Sequence, residues 1–339
     1  MAQRRTVWTR GSAGLSALKR FSLIFLRVVA LGGLLIAPLA CKQKETLRVG
    51  FNSWPGYEYL YLLKTKGFDR ELGFELELLT FNSLADARRS FERGELDVIA
   101  TTVVETLFAK QNSLIDPKMF YVIDYSDGGD VILAQPSIRS VKELKGKTVG
   151  VETGSVCIYG LFRALQLNGM GLDDIKIKAL DQDNIFKQMK LKSIEAAVTY
   201  VPFSLRLLKE RPFNVLFTSR QIPGEMLDVF TATGKVMKER KSDLQKLVKA
   251  FDKARQYASQ PHSDGFKIMA DREGLSEADF TAAILNDLYV VPLADQKKNY
   301  FDKDQLQKIT DQTAAALFKA GHLSENLTTQ GLMENILHE

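Results

Sequence analysis

Short apolar runs alternate with longer amphipathic stretches through the first two thirds of the chain. "LRVGF" (47–51), "FELELLTF" (74–81), "DVIAT" (97–101) and "MFYVIDYS" (119–126) have strand length, and helix-like segments start near Tyr57, Leu84 and Val103. Strands separated by helical segments of this size predict βαβ units around a parallel sheet. The pattern restarts with "KTVGVE" (147–152), "IKIKAL" (175–180), "AAVTY" (196–200) and "FNVLFT" (213–218), which predicts a second α/β half. After Thr233 the period changes. Leu244, Leu247, Val248, Phe251, Ala254 and Ala258 recur at helical spacing, and two more helical stretches follow near 276–288 and 302–320, with "VVPLAD" (290–295) between them. No repeat implies a solenoid, and no segment is of low complexity.

The first forty residues stand apart from this pattern. They carry six Lys/Arg (Arg4, Arg5, Arg10, Lys19, Arg20, Arg27), no acid, and the apolar run "VVALGGLLIAPL" before "LAC". A basic start, about 7–15 apolar residues and small residues before a cleavage point describe a secretory signal. The run is broken by Gly and Pro and falls short of the roughly 20 apolar residues of a membrane-spanning helix. "APLAC" resembles the lipoprotein box of bacteria, with cleavage before Cys41 and lipid on its sulfur. The bland alternative is ordinary cleavage after Ala40, leaving a free thiol. The leader also changes the charge: the chain has 46 basic and 41 acidic residues, and removing the six leader bases leaves 40 against 41. The apparent basicity belongs to the leader, so a nucleic-acid partner loses its support. The only other cysteine, Cys157, reads as a small buried apolar residue, so no disulfide is expected.

The strings "RVGFNSWPGYEYLYLLKTKGF" (48–68), "RSFERGELDVIATT" (89–102), "SVKELKGKTVGVETGSVCIYGLFRAL" (140–165) and "IFKQMKLKSIEAAVTYVPF" (185–203) carry a resemblance. The chain is similar to solute-binding proteins of bacterial ABC importers, in the group that binds nitrate, taurine or alkanesulfonates, and thiamine-pyrimidine precursors. The similarity covers 46–325. One departure is "KSIEAAV", which has no Gly and has Glu195 where the first half reads "GELDVIA". The resemblance implies an α/β, two-lobed periplasmic-binding-protein fold (type II), each lobe a mostly parallel sheet flanked by helices, with ligand held in the cleft between them. The expected organisation is a signal peptide over 1–40 and a tether over 41–46. Lobe 1 then takes 47–130 plus 229–339 with the C-terminal helices, and lobe 2 takes 131–228.

In open α/β sheets, ligands sit beyond the carboxyl ends of strands, where loops converge. That rule selects 52–58, 81–84, 101–103, 126–130, 152–156 and 199–203, and 223–228 is added because "PGEMLD" should precede the return crossing. Asn52, Trp54 and Tyr57 follow the first strand and are expected to face the cleft, although Trp54 as a plug of the lobe 1 core is the competing reading. Gly154 and Ser155 open a helix, where Ser155 serves as a cap or as an oxyanion holder. Ser83, Thr101, Thr102, Thr199 and Tyr200 end strands or start helices and can donate hydroxyls, or act as local caps. Glu58, Asp127, Asp130, Glu152, Glu225 and Asp228 fall on or beside these loops, and no Lys or Arg lies within the same limits. Such a field disfavours a bare anion and favours an amine-bearing or zwitterionic nitrogenous or sulfur-containing solute. Gly128-Gly129 suits a hinge, which makes Asp127 and Asp130 the foremost of these acids.

No HExxH, Cys/His cluster, GxSxG or P-loop occurs, and His262, His322 and His338 all lie in the C-terminal part. The expectation is therefore a binding protein rather than an enzyme, without metal or cofactor. The expected partners are a small-molecule solute, an ABC permease with its ATPase, and a membrane through lipidated Cys41, with the chain itself monomeric. A binder reporting to a membrane signalling receptor is the alternative, and a thiamine-pyrimidine-synthase-like enzyme a remote one. The expected location is the periplasmic or other extracytoplasmic face, anchored to the cell membrane or the outer membrane. In a Gram-negative organism, Lys42 rather than Asp after the cysteine leans toward outer-membrane sorting, by analogy with such lipoproteins.

Overall fold

The structure is a computed structural model that describes residues 46–337 apart from Ser113, Lys303 and Asn326. The expected signal peptide, Cys41 and His338 lie outside the described residues.

The chain lays down β1 (Leu47–Asn52), β2 (Leu76–Phe81), β3 (Val98–Thr102) and β4 (Pro117–Ser126), then crosses over at 127–129. There it builds β5 (Asp130–Ala134), β6 (Thr148–Val151), β7 (Lys176–Ala179), β8 (Ala196–Tyr200) and β9 (Asn214–Thr218). It returns to add β10 (Leu227–Thr233) and β11 (Leu288–Val290) to the first set. The two sheets have the orders β11-β4-β10-β3-β1-β2 and β7-β6-β8-β5-β9. β1 pairs in parallel with β2 and β3, and β6 with β7 and β8, whereas β10 and β5 are the antiparallel members at the crossings. This is the two-lobed α/β fold expected from the chain.

Helices cover the sheets: α1 (Glu58–Thr65), α2 (Leu84–Glu92) and α3 (Val103–Asn112) in the first lobe, and α4 (Val156–Leu167) in the second. With both faces covered, strands read as continuous apolar runs rather than alternating ones. β3 and β5 are buried at every residue. β5 ("DVILA") and β10 escaped the sequence reading because they abut the crossing loops, and β11 is only three residues long. The C-terminal segment forms α5 (Lys241–Ala258), α6 (Gly265–Glu273), α7 (Glu277–Asn286) and α8 (Gln305–Lys319). α5 seats Phe251 against Phe230 of β10 (5.2 Å, edge-on), Tyr121 of β4 (5.9 Å) and Tyr59 of α1 (5.7 Å). Such edge contacts each add roughly 0.5–1.5 kcal/mol beyond area burial, so the C-terminal helices belong to the first lobe's core. No helix among the described residues is long and apolar enough to cross a membrane.

Candidate functional site

A cavity lies where the carboxyl ends of β1, β3 and β8 meet the two crossings. Asn52, Trp54, Tyr57, Leu84, Thr102, Asp130, Val156, Tyr200, Met226 and Asp228 line it. The lobes are closed on one another, and only about 10 Å³ of this space is open to a water-sized sphere. A water needs roughly that much, so any organic solute must enter by parting the lobes.

The aromatic turn after β1 forms one wall. Trp54 is 5% exposed and meets Tyr200 of the second lobe edge-on at 6.1 Å. Its indole Nε1 donates to Asp124 Oδ1 at 3.2 Å. Trp54 therefore packs between the lobes and not inside one of them. Gly56 and Gly129 make this possible: a Cβ on Gly56 would collide with the Asp124 carboxylate, and one on Gly129 would sit 2.7 Å from the Trp54 ring. Asn52 Nδ2 donates to the Tyr200 hydroxyl at 3.1 Å, and Asn52 Oδ1 stays buried without a partner.

The acids form the other wall. Asp228 stands directly opposite Asp124 in the β10–β4 ladder, and the Tyr57 hydroxyl donates to Asp228. Like charges at paired positions repel, and here both are also out of water. Burial pushes Asp124 up to about 7. Burial, then the Asp124 charge, holds Asp228 well above the carboxylate range. Burial, with a smaller contribution from Glu105, raises Asp130 to about 7. No Lys, Arg or His is among the lining residues. At neutral pH burial keeps these carboxyl groups partly protonated, and a cation beside them favours their ionised form.

Not every expected residue joins the cavity. Glu58 is fully buried behind the turn, where Arg272 of α6 donates to it, and Glu273 lies beside it. Glu225 is held by Arg163 (Nε–Oε2 2.7 Å) and the Tyr159 hydroxyl (2.6 Å). Asp127 is half-exposed and faces Arg220 at 3.9 Å. The loops contain no basic residue, but helices and the return crossing bring one to each of these three acids. Gly154 takes positive φ (+75°) between strand and helix, outside the lining. Ser155 acts as the cap of α4, accepting from Cys157 N at 3.2 Å, and Ser83 does the same for α2, accepting from Asp86 N at 3.0 Å. Thr199 donates to Gln182 Oε1 at 2.9 Å and is buried beside the site.

Asp124 and Glu105 escaped the sequence reading. Glu105, on α3, accepts from Thr101 Oγ1 (3.3 Å), Thr102 N (3.0 Å) and the Thr102 hydroxyl. Both acids sit inside apolar runs, "YVIDY" and "TTVVETL", and that incongruity was the available signal.

Two crossing segments, a closed interlobe cavity and C-terminal helices packed on the first lobe define the architecture of periplasmic solute-binding proteins. The sequence profile of the NMT1-like family matches residues 40–270, and the chain belongs to that family. A protein of Brucella abortus (strain 2308), named only provisionally as a binding protein, is 24% identical over 135 residues, covering 38% of this chain and 41% of that one. The 4-amino-5-hydroxymethyl-2-methylpyrimidine phosphate synthase of Aspergillus parasiticus is 28% identical over 135 residues, 39% of each chain. The chain thus spans about two fifths of the length of the curated relatives it matches. Among solved structures, the alkanesulfonate-binding protein of Xanthomonas axonopodis pv. citri bound to MOPS superimposes with a TM-score of 0.74. Its identity is 17%, over 86% of this chain and 98% of that one.

Proposed function

We propose that this protein is an extracytoplasmic solute-binding protein that closes its two lobes on a small amine-bearing or zwitterionic organic solute and presents it to an ABC permease. The fold and the family membership support the class. One observation carries the ligand chemistry: a cavity walled by Asp130, Asp228 and the adjoining Asp124, with aromatic rings opposite and no basic side chain in its lining. An ammonium or amidinium placed there supplies the missing counter-charge and offers its faces to Trp54, Tyr57 and Tyr200. Asn52 Oδ1, buried and unpartnered, accepts one further N–H. Lipid on Cys41 tethers the domain to its membrane, and the chain acts as a monomer.

Binding is the whole event in this reading. A lone solute shifts the open–closed equilibrium by its preference for the closed lobes. A thermal-shift screen of amines, amino acids, pyrimidines, sulfonates and nitrate is the direct test. Stabilisation by amines and none by nitrate or methanesulfonate is expected. Equal stabilisation by a bare anion overturns the charge argument.

A further inference from the structure

Both α2 and α4 open at the cleft, where their first residues, Leu84 and Val156, line the cavity. A helix N-terminus with free N–H groups attracts anions through those donors and the helix dipole. Neither end is free here. Besides the serine caps, each helix gives a second N–H to a glutamate from the opposite lobe. Ala85 N on α2 donates to Glu152 Oε1 at 3.1 Å, and Val156 N on α4 donates to Glu105 Oε1 at 2.6 Å. The exchange is reciprocal, and it exists only while the lobes are together. Glu152 Oε2 is buried without a hydrogen-bond partner, so the pair brings carboxyl groups to the cleft where free helix N–H donors would otherwise stand. Arg88, on α2, pairs with Glu92 through Nη1 and lies over the Phe108 ring at 5.8 Å, while its Nε stays buried without a partner.

We propose that Glu105 and Glu152 determine the solute specificity of the cleft: each fills the helix N-terminus of the opposite lobe on closure, so that a carboxylate, sulfonate or nitrate group finds both anion positions taken. The inference rests on the interlobe cavity being the solute site, and it narrows the solute from zwitterionic to cationic. Glu105 is the more deeply built of the two, since three of its four donors come from its own lobe. Glu152 is the replaceable gate, with its one partner across the cleft and a free oxygen beside it.

Methanesulfonate and nitrate are the probes, followed by calorimetry and by the fluorescence of Trp54, the one tryptophan after the leader. The unaltered protein should respond to neither at millimolar concentration. Glu152→Ala frees the Ala85 N–H and removes the carboxyl group that occupies it, and methanesulfonate should then bind at least about tenfold tighter than to the unaltered protein. Glu152→Gln keeps an acceptor on the helix without its charge and should give a smaller gain, as should Glu105→Gln at α4. A merely structural role would change the melting temperature and leave the anion ranking alone. Tight methanesulfonate binding by the unaltered protein overturns the proposal, as does a folded Glu152→Ala protein with no gain. Should Glu152→Ala not fold, unchanged anion affinity in Glu152→Gln counts against it equally. Failure of the amine reading would show separately, as silence of the unaltered protein towards amines, whatever the anions do.

Discussion

Two groups of buried or half-buried acids sit within the same lobes and behave differently. Glu58, Glu225 and Asp127 each meet an arginine, namely Arg272, Arg163 and Arg220. Asp124, Asp130 and Asp228 meet hydroxyls, an indole and one another. Each member of the first group has an arginine inside the protein, although Glu58 shares Arg272 with Glu273 and burial still holds both of those carboxyls above the usual range. The second group is unbalanced, and burying charge without a partner is expensive enough that the groups hold protons instead. In the proposed function, this unbalanced acid wall is what takes the positive charge of the solute.

The sharpest way to break this comparison is to remove one unbalanced acid. Asp228→Asn should weaken an amine solute by roughly 2–5 kcal/mol, the usual cost of losing one partner of a buried charge pair, while leaving ligand-free stability unchanged or higher. A calorimetric titration with the solute found by screening checks it, and an unchanged affinity would remove the acid wall from the site. The mirror experiment removes a balancing base. Arg272→Ala leaves Glu58 and Glu273 together without their cation and should cost about 3 kcal/mol of stability in urea unfolding. Solute affinity should hardly move, because Arg272 lies outside the cavity lining.

Proton linkage sharpens the same contrast. Asp124, Asp130 and Glu152 are each raised to about 7 by burial, against unfolded values near 4. The folded, closed protein therefore binds more protons than the unfolded chain between about pH 4 and 7. Stability contributed by these groups is complete below pH 4 and is lost as pH rises through 7. Melting temperature of the ligand-free protein should fall from pH 5 to pH 8, and a bound amine should flatten that slope. A rise over the same interval would contradict the assignment. The smallest effect belongs to Asp127→Asn. Its half-exposed carboxylate faces Arg220 at 3.9 Å, and an exposed pair of this kind is worth at most about 1 kcal/mol. Stability and solute affinity should both stay within that margin in paired thermal-shift and calorimetric measurements.

Much of the fold was legible in the residues. The runs beginning at Leu47, Thr148 and Ala196 form strands within a residue or so of their expected limits, because β-branched and apolar runs between turns fix strands locally. The aromatic turn at Trp54 and Tyr57, the serine caps and the cleft position of Asp130 and Asp228 also follow from local order, since loops after strands in such sheets converge on one side. Local order makes Asp127 the foremost acid for the same reason, its place in a Gly-rich crossing. The structure moves it to the surface beside Arg220.

What the chain order could not convey is who neutralises whom. Arg272 stands 214 positions from Glu58, and Glu105 lies 51 positions from the Val156 amide that it caps. Whether an acid is balanced depends on burial and on neighbours within a few ångströms, and both arise only when distant segments pack. Strand and helix identity is written in near neighbours along the chain; the charge state of the cleft is set by the folded arrangement alone.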